Sequence, residues 1–366
     1  MSCSYRYRSA AGLLRLLLVA LVFAPLAAPA APNAPIPQPD RNGQAAPASA
    51  LRATLLLEHD GDHAWTSLLR AGLAQAERDF PLQAEVRVAP PESDQQEIFR
   101  QAARESDLVL VASDQLHEIL RNNAANFRKT MFGCIDAGVR APNIMSVTFA
   151  DEQAAYLAGA AAAMLTRRTD LPGVNEANVI GWISGKDTPA LRSQFNGFSE
   201  GARLIDPQIR VINAVAGSFT DAGASRRETR RLLEQGADVL ALAAGAGNAG
   251  ALAEARERDI YIIGLDTDQA AIMPGHVLTS ILKRVDKAVY DITASAARGN
   301  FRGKTILTYD LRNDGVGIAS MTPFLAAAGK NAPLDLERRL KELRAELLNG
   351  SIRLKSMRAR TLCDCL

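Results

Sequence analysis

From Arg52 onward the apolar positions follow two alternating rhythms. Short, mostly apolar runs (RATLLLE, AEVRVA, DLVLVA, KTMFGCID, NIMSVTF) are separated by stretches with helical spacing, SLLRAGLAQAERDF, QQEIFRQAARES and QLHEILRNNAANF. Runs of this length between amphipathic helices predict parallel βαβ units, because a strand covered on both faces is apolar throughout rather than on alternate residues. A long helix, DEQAAYLAGAAAAMLTRR, closes the series, and Gly159 among its alanines gives it a face flat enough for close helix packing. A second series follows: NVIGWIS, RSQFNGFSEGARLI, RVINAVAG, SRRETRRLLEQG, DVLALAA, AGALAEARERD and YIIGLD.

Two consecutive α/β series of similar length predict two lobes, each a parallel sheet flanked by helices, with a cleft between them. After VLTSIL, the helix KAVYDITASAARGN reads as a return to the first lobe. The segment KTILTYDLRNDGVGIASM and the helix LDLERRLKELRAELLNGSI read as a last strand pair and helix of the second. The expected division is therefore 52–149 plus 284–303 for the first lobe, 150–283 plus 304–358 for the second, and a tail over 359–366.

What precedes the first lobe is of a different kind. Arg6, Arg8 and Arg15 stand before the apolar run LLLVALVFAPLA, which ends in Ala28-Pro29-Ala30, the layout of a signal peptide cleaved near Ala30. No cysteine occupies the cleavage site, so a lipid anchor is not indicated, and the expected location is the periplasm without stable membrane insertion. A Pro- and Ala-rich linker covers 31–50. The net charge of +2 falls further once the signal is removed, so neither nucleic acid nor an acidic membrane surface is implied as partner. Cys134, Cys363 and Cys365 would remain, an odd number that rules out a full intrachain disulfide framework.

The candidate chemistry concentrates between residues 237 and 284. Two successive strands there end in loops, G-A-G-N-A-G after DVLALAA and D-T-D-Q after YIIGL, and ligands of parallel sheets collect outside the carboxyl ends of strands. Asp266 can accept hydrogen bonds from hydroxyl groups, and Lys283 supplies a charged donor from a nearby segment. Asp268 and Gln269 read as turn residues. Gly245, Gly247 and Gly250 also fit a dinucleotide fingerprint, but here the glycines follow a strand deep inside the series rather than its first. Catalysis finds little support: His59, His63, His117 and His276 lack metal-ligand spacing and no G-x-S-x-G elbow is present, so a non-enzyme without cofactor or metal is expected.

Several segments in fixed order, DEQAAYLAGAAAAML, VIGWISGKDTPALRSQFNGFSEGA, AGSFTDAG, QGADVLALAAGAG, IGLDTDQ, PGHVLTSILKRVDKAVYD and DGVGIASMTPF, resemble those of the basic membrane protein family of ABC-importer substrate-binding proteins, which includes purine nucleoside receptors. The resemblance covers about residues 53 to 355. It implies a two-lobed α/β type I periplasmic binding protein fold, a nucleoside-like ligand held by lobe closure, and ABC permease subunits as partners. It also implies site residues. Asp62-His63-Ala64-Trp65-Thr66 matches a motif close to D-K-S-F-N and puts Trp65 at an aromatic that stacks on the base, with Asp62 and Thr66 beside it. Phe219 matches the opposing ring, Gly245, Asp266 and Lys283 match ribose contacts, and Ser113 and Asp114 correspond to a base-contacting loop. Thr66 stands where the family usually has Asn, and Ala64 where it has Ser, which removes an amide that pairs with a base edge. Two other uses of such a cleft stay open on the sequence: a ligand-sensing module for a membrane receptor, and an exported dinucleotide-dependent enzyme using GAGNAG.

Overall fold

A computed structural model describes residues 50–59 and 64–355. The signal peptide, the linker, Asp62, Cys363 and Cys365 lie outside the described residues. The chain opens with β1 (Leu51–Leu57), α1 (Ala64–Asp79), β2 (Leu82–Val88), α2 (Gln95–Glu105), β3 (Leu108–Val111), α3 (Asp114–Asn123), β4 (Met131–Ile135) and β5 (Ile144–Phe149). Helix α4 (Asp151–Leu165) leads to β6 (Val179–Ser184), α5 (Pro189–Ile205), β7 (Arg210–Val215), α6 (Ala222–Glu234), β8 (Ala237–Ala243), α7 (Asn248–Arg258), β9 (Tyr261–Asp266) and β10 (Val277–Lys283). Then come α8 (Val285–Ala297), β11 (Thr305–Tyr309), β12 (Val316–Ile318), α9 (Thr322–Ala328) and α10 (Asp335–Asn349).

These strands form two six-stranded sheets, in the orders β11-β5-β4-β3-β1-β2 and β12-β10-β9-β8-β6-β7. Every pairing is parallel except β10 with β12. The central strands are buried along their whole length, as the apolar runs require: all of β3, β6 and β8 is enclosed. One charge lies within that run. Asp238 on β8 accepts from Thr166 Oγ1 at 2.6 Å and from the Asn175 backbone N–H at 3.0 Å, while burial pushes its pKa up to about 6.

Helix α4 joins the two sheets and is almost wholly buried. It lies so close to α5 that a Cβ on Gly159 would stand 1.9 Å from the Phe198 carbonyl oxygen, so only glycine permits this approach. Helix α8 carries the chain back to the first sheet, where the Tyr290 hydroxyl donates to Asp79 of α1 at 2.9 Å.

The last strand pair departs from the sequence expectation, which placed 304–358 in the second lobe. Strand β11 instead extends the first sheet, pairing in parallel with β5 in the register Ile306 opposite Ser146, and only β12 joins the second. The chain thus crosses once more between the sheets, in the Asp310–Gly315 turn. Both are short edge strands, β11 with exposed positions and β12 with half-buried ones, and an edge strand's pattern records that one face is covered without recording which sheet does the covering.

Candidate functional site

In each sheet the chain order reverses beside the first strand of the series, at β1/β3 and at β6/β8, the position where open α/β sheets bind ligands. The carboxyl ends of strands from both sheets border one cleft of about 760 Å3, within the size range of small-molecule sites. Trp65, Thr66, Ser113, Asp114, Phe219, Gly245, Asp266 and Lys283 all line it. These are eight of the nine residues that the family resemblance implies for a site; the ninth, Asp62, lies outside the described residues.

From the first lobe, Trp65 enters on the opening turn of α1, with Thr66 buried beside it. Ser113 occupies the N-cap of α3 yet makes no capping bond, and its buried hydroxyl has no partner among the described residues, while Asp114 opens the helix exposed. From the second lobe, Phe219 sits in the loop between β7 and α6, where its carbonyl accepts from Gly247 N–H at 2.9 Å. Its ring lies against Gly185, where a Cβ would come within 2.3 Å of Cδ1, and Lys186 Nζ stands 5.9 Å from the ring centre. Gly245 has φ 58°, a left-handed turn that glycine adopts without steric cost.

The G-A-G-N-A-G tract is accounted for by packing within its own lobe. The Asn248 side chain accepts from Ala244 N–H at 2.8 Å and donates to the Leu242 carbonyl at 3.3 Å, closing the turn on itself. Gly250 lies inside α7 against α6, where a Cβ would be 1.8 Å from the Ala222 carbonyl oxygen. The third glycine of the fingerprint is therefore a helix-packing residue.

At the floor of the cleft, Lys283 ends β10 with its side chain buried and its Nζ 2.7 Å from Asp136 Oδ1 and 2.9 Å from Asp151 Oδ1. The same ammonium stands 4.8 Å from the Phe149 ring centre and 5.4 Å from that of Trp65. Burial by itself favours the neutral amine, but the two carboxylates outweigh it and hold the lysine pKa above its ordinary value, so the group stays charged. Asp136 follows β4, Asp151 begins α4 and Lys283 ends β10, so the ion pairs join the first sheet, the connecting helix and the second sheet.

Asp266 ends β9 with φ 70°, a left-handed backbone that aspartate tolerates better than most residues. Its half-buried carboxylate borders the cleft and accepts no hydrogen bond from any described residue. Burial pushes its pKa up to about 7, with Asp151 and Asp136 adding to the rise and Lys283 opposing it. Burial likewise pushes Asp151 up to about 6 against the pull of Lys283. Three carboxylates thus share one cation, and the corner offers a guest mainly hydrogen-bond acceptors.

Asp136, Phe149 and Asp151 were not singled out in the sequence. Asp136 carried a usable signal, because FGCID ends a buried strand with an acid as YIIGLD does. Asp151 did not, since an acid on the first turn of a helix is the ordinary response to the helix dipole.

Two α/β lobes with a ligand-sized cleft at the carboxyl ends of both sheets define the two-lobed type I periplasmic binding protein fold. The chain belongs to the Bmp family, described as ABC transporter substrate-binding protein PnrA-like, whose model matches residues 58–347. It is 30% identical over 251 residues to the ABC transporter nucleoside-binding protein BmpA of Lactococcus lactis, covering 64% of this chain and 66% of that one. It is 30% identical over 179 residues to basic membrane protein D of Borreliella burgdorferi, covering 48% and 50%. The chain spans between half and two thirds of the length of these curated relatives. Among solved structures, an ABC-system solute-binding protein from Aeropyrum pernix superposes with a TM-score of 0.71 at 23% identity, over 83% of this chain and 92% of that one. A LacI-family regulator from Enterococcus faecium with bound ribose does so at 0.57 and 14%, over 74% and 98%. At these identities the structural likeness shows the fold alone.

Proposed function

We propose that the cleft captures a nucleoside, purine nucleosides first, and that the closed form delivers it unaltered from the periplasm to the permease of an ABC importer. The observation that carries this reading is the pairing of two aromatic side chains from opposite lobes, Trp65 and Phe219, with a polar floor made of Asp266 and Lys283 in the same cleft. A base stacked on the indole gains dispersion over its whole face, and flat stacking of this kind is worth about 1 to 3 kcal/mol. Sugar hydroxyls donate to the Asp266 carboxylate, which accepts from no described residue, a charge-assisted bond in a site screened from bulk water. Contacts with both lobes favour the closed state by their difference between open and closed forms. The Lactococcus relative is named as nucleoside-binding, which supports the same ligand class.

The apolar segment before Ala30 supports export, and no helix among the described residues is long and apolar enough to cross a membrane. The direct test is calorimetry of unfolded, stripped and refolded protein against inosine, guanosine, adenosine, cytidine and free ribose. Saturable one-to-one binding of at least one nucleoside, tighter than free ribose, is expected. Heats indistinguishable from dilution for all four nucleosides would remove the reading.

A further inference from the structure

Gln194 lies on the second turn of α5, lines the cleft and is 2% exposed. Its Nε2 donates to Asp151 Oδ1 at 3.2 Å, and that same oxygen receives Lys283 Nζ at 2.9 Å. This contact fixes the direction of the amide, because the opposite assignment would set two acceptor oxygens against each other. The other end, Oε1, is buried with no partner among the described residues. A buried amide oxygen without a donor is a standing cost that native structures rarely leave in place unless something else supplies the donor. The groups bonded at this corner do not supply it, because Asp151 accepts from the Gln194 amide nitrogen and the Lys283 ammonium is held by Asp136 and Asp151. A guest held in the cleft that Gln194 lines can supply that donor.

We propose that Gln194 is a specificity-determining ligand contact whose amide oxygen accepts a hydrogen bond from one sugar hydroxyl, so that the site selects ribonucleosides over analogues lacking that hydroxyl. The assignment rests on the nucleoside reading above and adds to it a residue and a selection rule. As the lobes close, the hydroxyl reaches Oε1 while Nε2 keeps its hold on Asp151. A guest without that hydroxyl leaves the oxygen orphaned and loses affinity out of proportion to one missing contact, as happens where a site is built around a substrate hydroxyl.

The test titrates inosine and its 2′-, 3′- and 5′-deoxy analogues into the wild-type protein, Gln194→Leu and Gln194→Glu, with the melting temperature of each empty protein measured alongside. The wild type is expected to bind one deoxy analogue at least tenfold more weakly than inosine. In Gln194→Leu inosine should weaken about tenfold while that one analogue keeps its affinity within about twofold, so the discrimination collapses. In Gln194→Glu the second carboxyl oxygen takes the place of Nε2 and shares a proton with Asp151, so an acceptor and nearly the same shape remain; it should keep discrimination against the same analogue, and it carries the test alone if the leucine variant does not fold. Unchanged inosine affinity in Gln194→Leu, or equal weakening of all four ligands, would overturn the role of Gln194 while leaving nucleoside capture intact. Loss of discrimination in Gln194→Glu at wild-type melting temperature would overturn it as well. No binding of any of the four by the wild type would instead bring down the nucleoside reading and this inference with it.

Discussion

The two lobes repeat one another strand for strand, yet the same position has opposite uses in each. The orders β2-β1-β3-β4-β5 and β7-β6-β8-β9-β10 match, and in both sheets the fourth strand runs into an aspartate with left-handed backbone, Asp136 at φ 72° and Asp266 at φ 70°. Asp136 is taken by Lys283 at 2.7 Å, whereas Asp266 accepts from no described residue. The cause lies one strand further on. The fifth strand of the first series is followed by an acid, Asp151, and that of the second ends in a base, Lys283, so the single lysine reaches over to the first lobe's side of the cleft. One acid becomes part of a tie across the molecule, and its counterpart is left facing the cleft. A strand-end aspartate is therefore not a ligand contact by position alone; what its neighbours leave unpaired decides.

Lys283→Met breaks this comparison most severely. It leaves Asp136 and Asp151 buried without their cation, and removing one partner of a buried pair costs about 3 to 5 kcal/mol. Chemical denaturation should show a loss of that size, and a loss below about 1 kcal/mol would mean that the tie is not structural. Asp266→Ala is the complementary change. Because the carboxylate accepts from no described residue and burial disfavours its ionised form, the empty protein should melt no lower than the wild type at neutral pH and above, while nucleoside affinity falls about 100-fold through loss of charge-assisted hydrogen bonds.

With the Asp266 carboxyl pushed up to about 7 from an ordinary 3.8, the folded state holds a proton that the unfolded chain releases between these values. The contribution of Asp266 to stability is therefore full below about 4 and is lost as pH rises through about 7. Affinity moves the other way, since sugar hydroxyls need the ionised acceptor, and calorimetry from pH 5.5 to 8 should show binding tightening with pH in the wild type. Trp65→Ala is the mildest of the substitutions: it should weaken binding by about 1 to 3 kcal/mol, the worth of one stacked face, and unchanged affinity would remove the stacking role.

Much of this comparison was legible in the chain. The strand runs that end at Asp266 and Lys283 are long and apolar enough to announce parallel strands, and the rule that ligands sit at strand carboxyl ends points to both residues. The same rule applied to FGCID would have found Asp136. Other features left no local trace. Nothing around Asp151 tells a helix-opening acid from one that binds a lysine more than a hundred residues away. The sheet that receives Thr305–Tyr309 is set by which edge lies open after the crossings, not by its own residues. The buried glutamine at 194 has neighbours of ordinary helical pattern, and its unpaired oxygen exists only in three dimensions.

A guest gripped from both lobes at once has to draw them together. Small-angle X-ray scattering of the protein, empty and saturated with its tightest nucleoside, tests this most directly. A smaller radius of gyration is expected on saturation in the wild type, with none of that change in Asp266→Ala at the same ligand concentration; an unchanged radius in wild-type protein shown to be saturated would rule out closure on the guest.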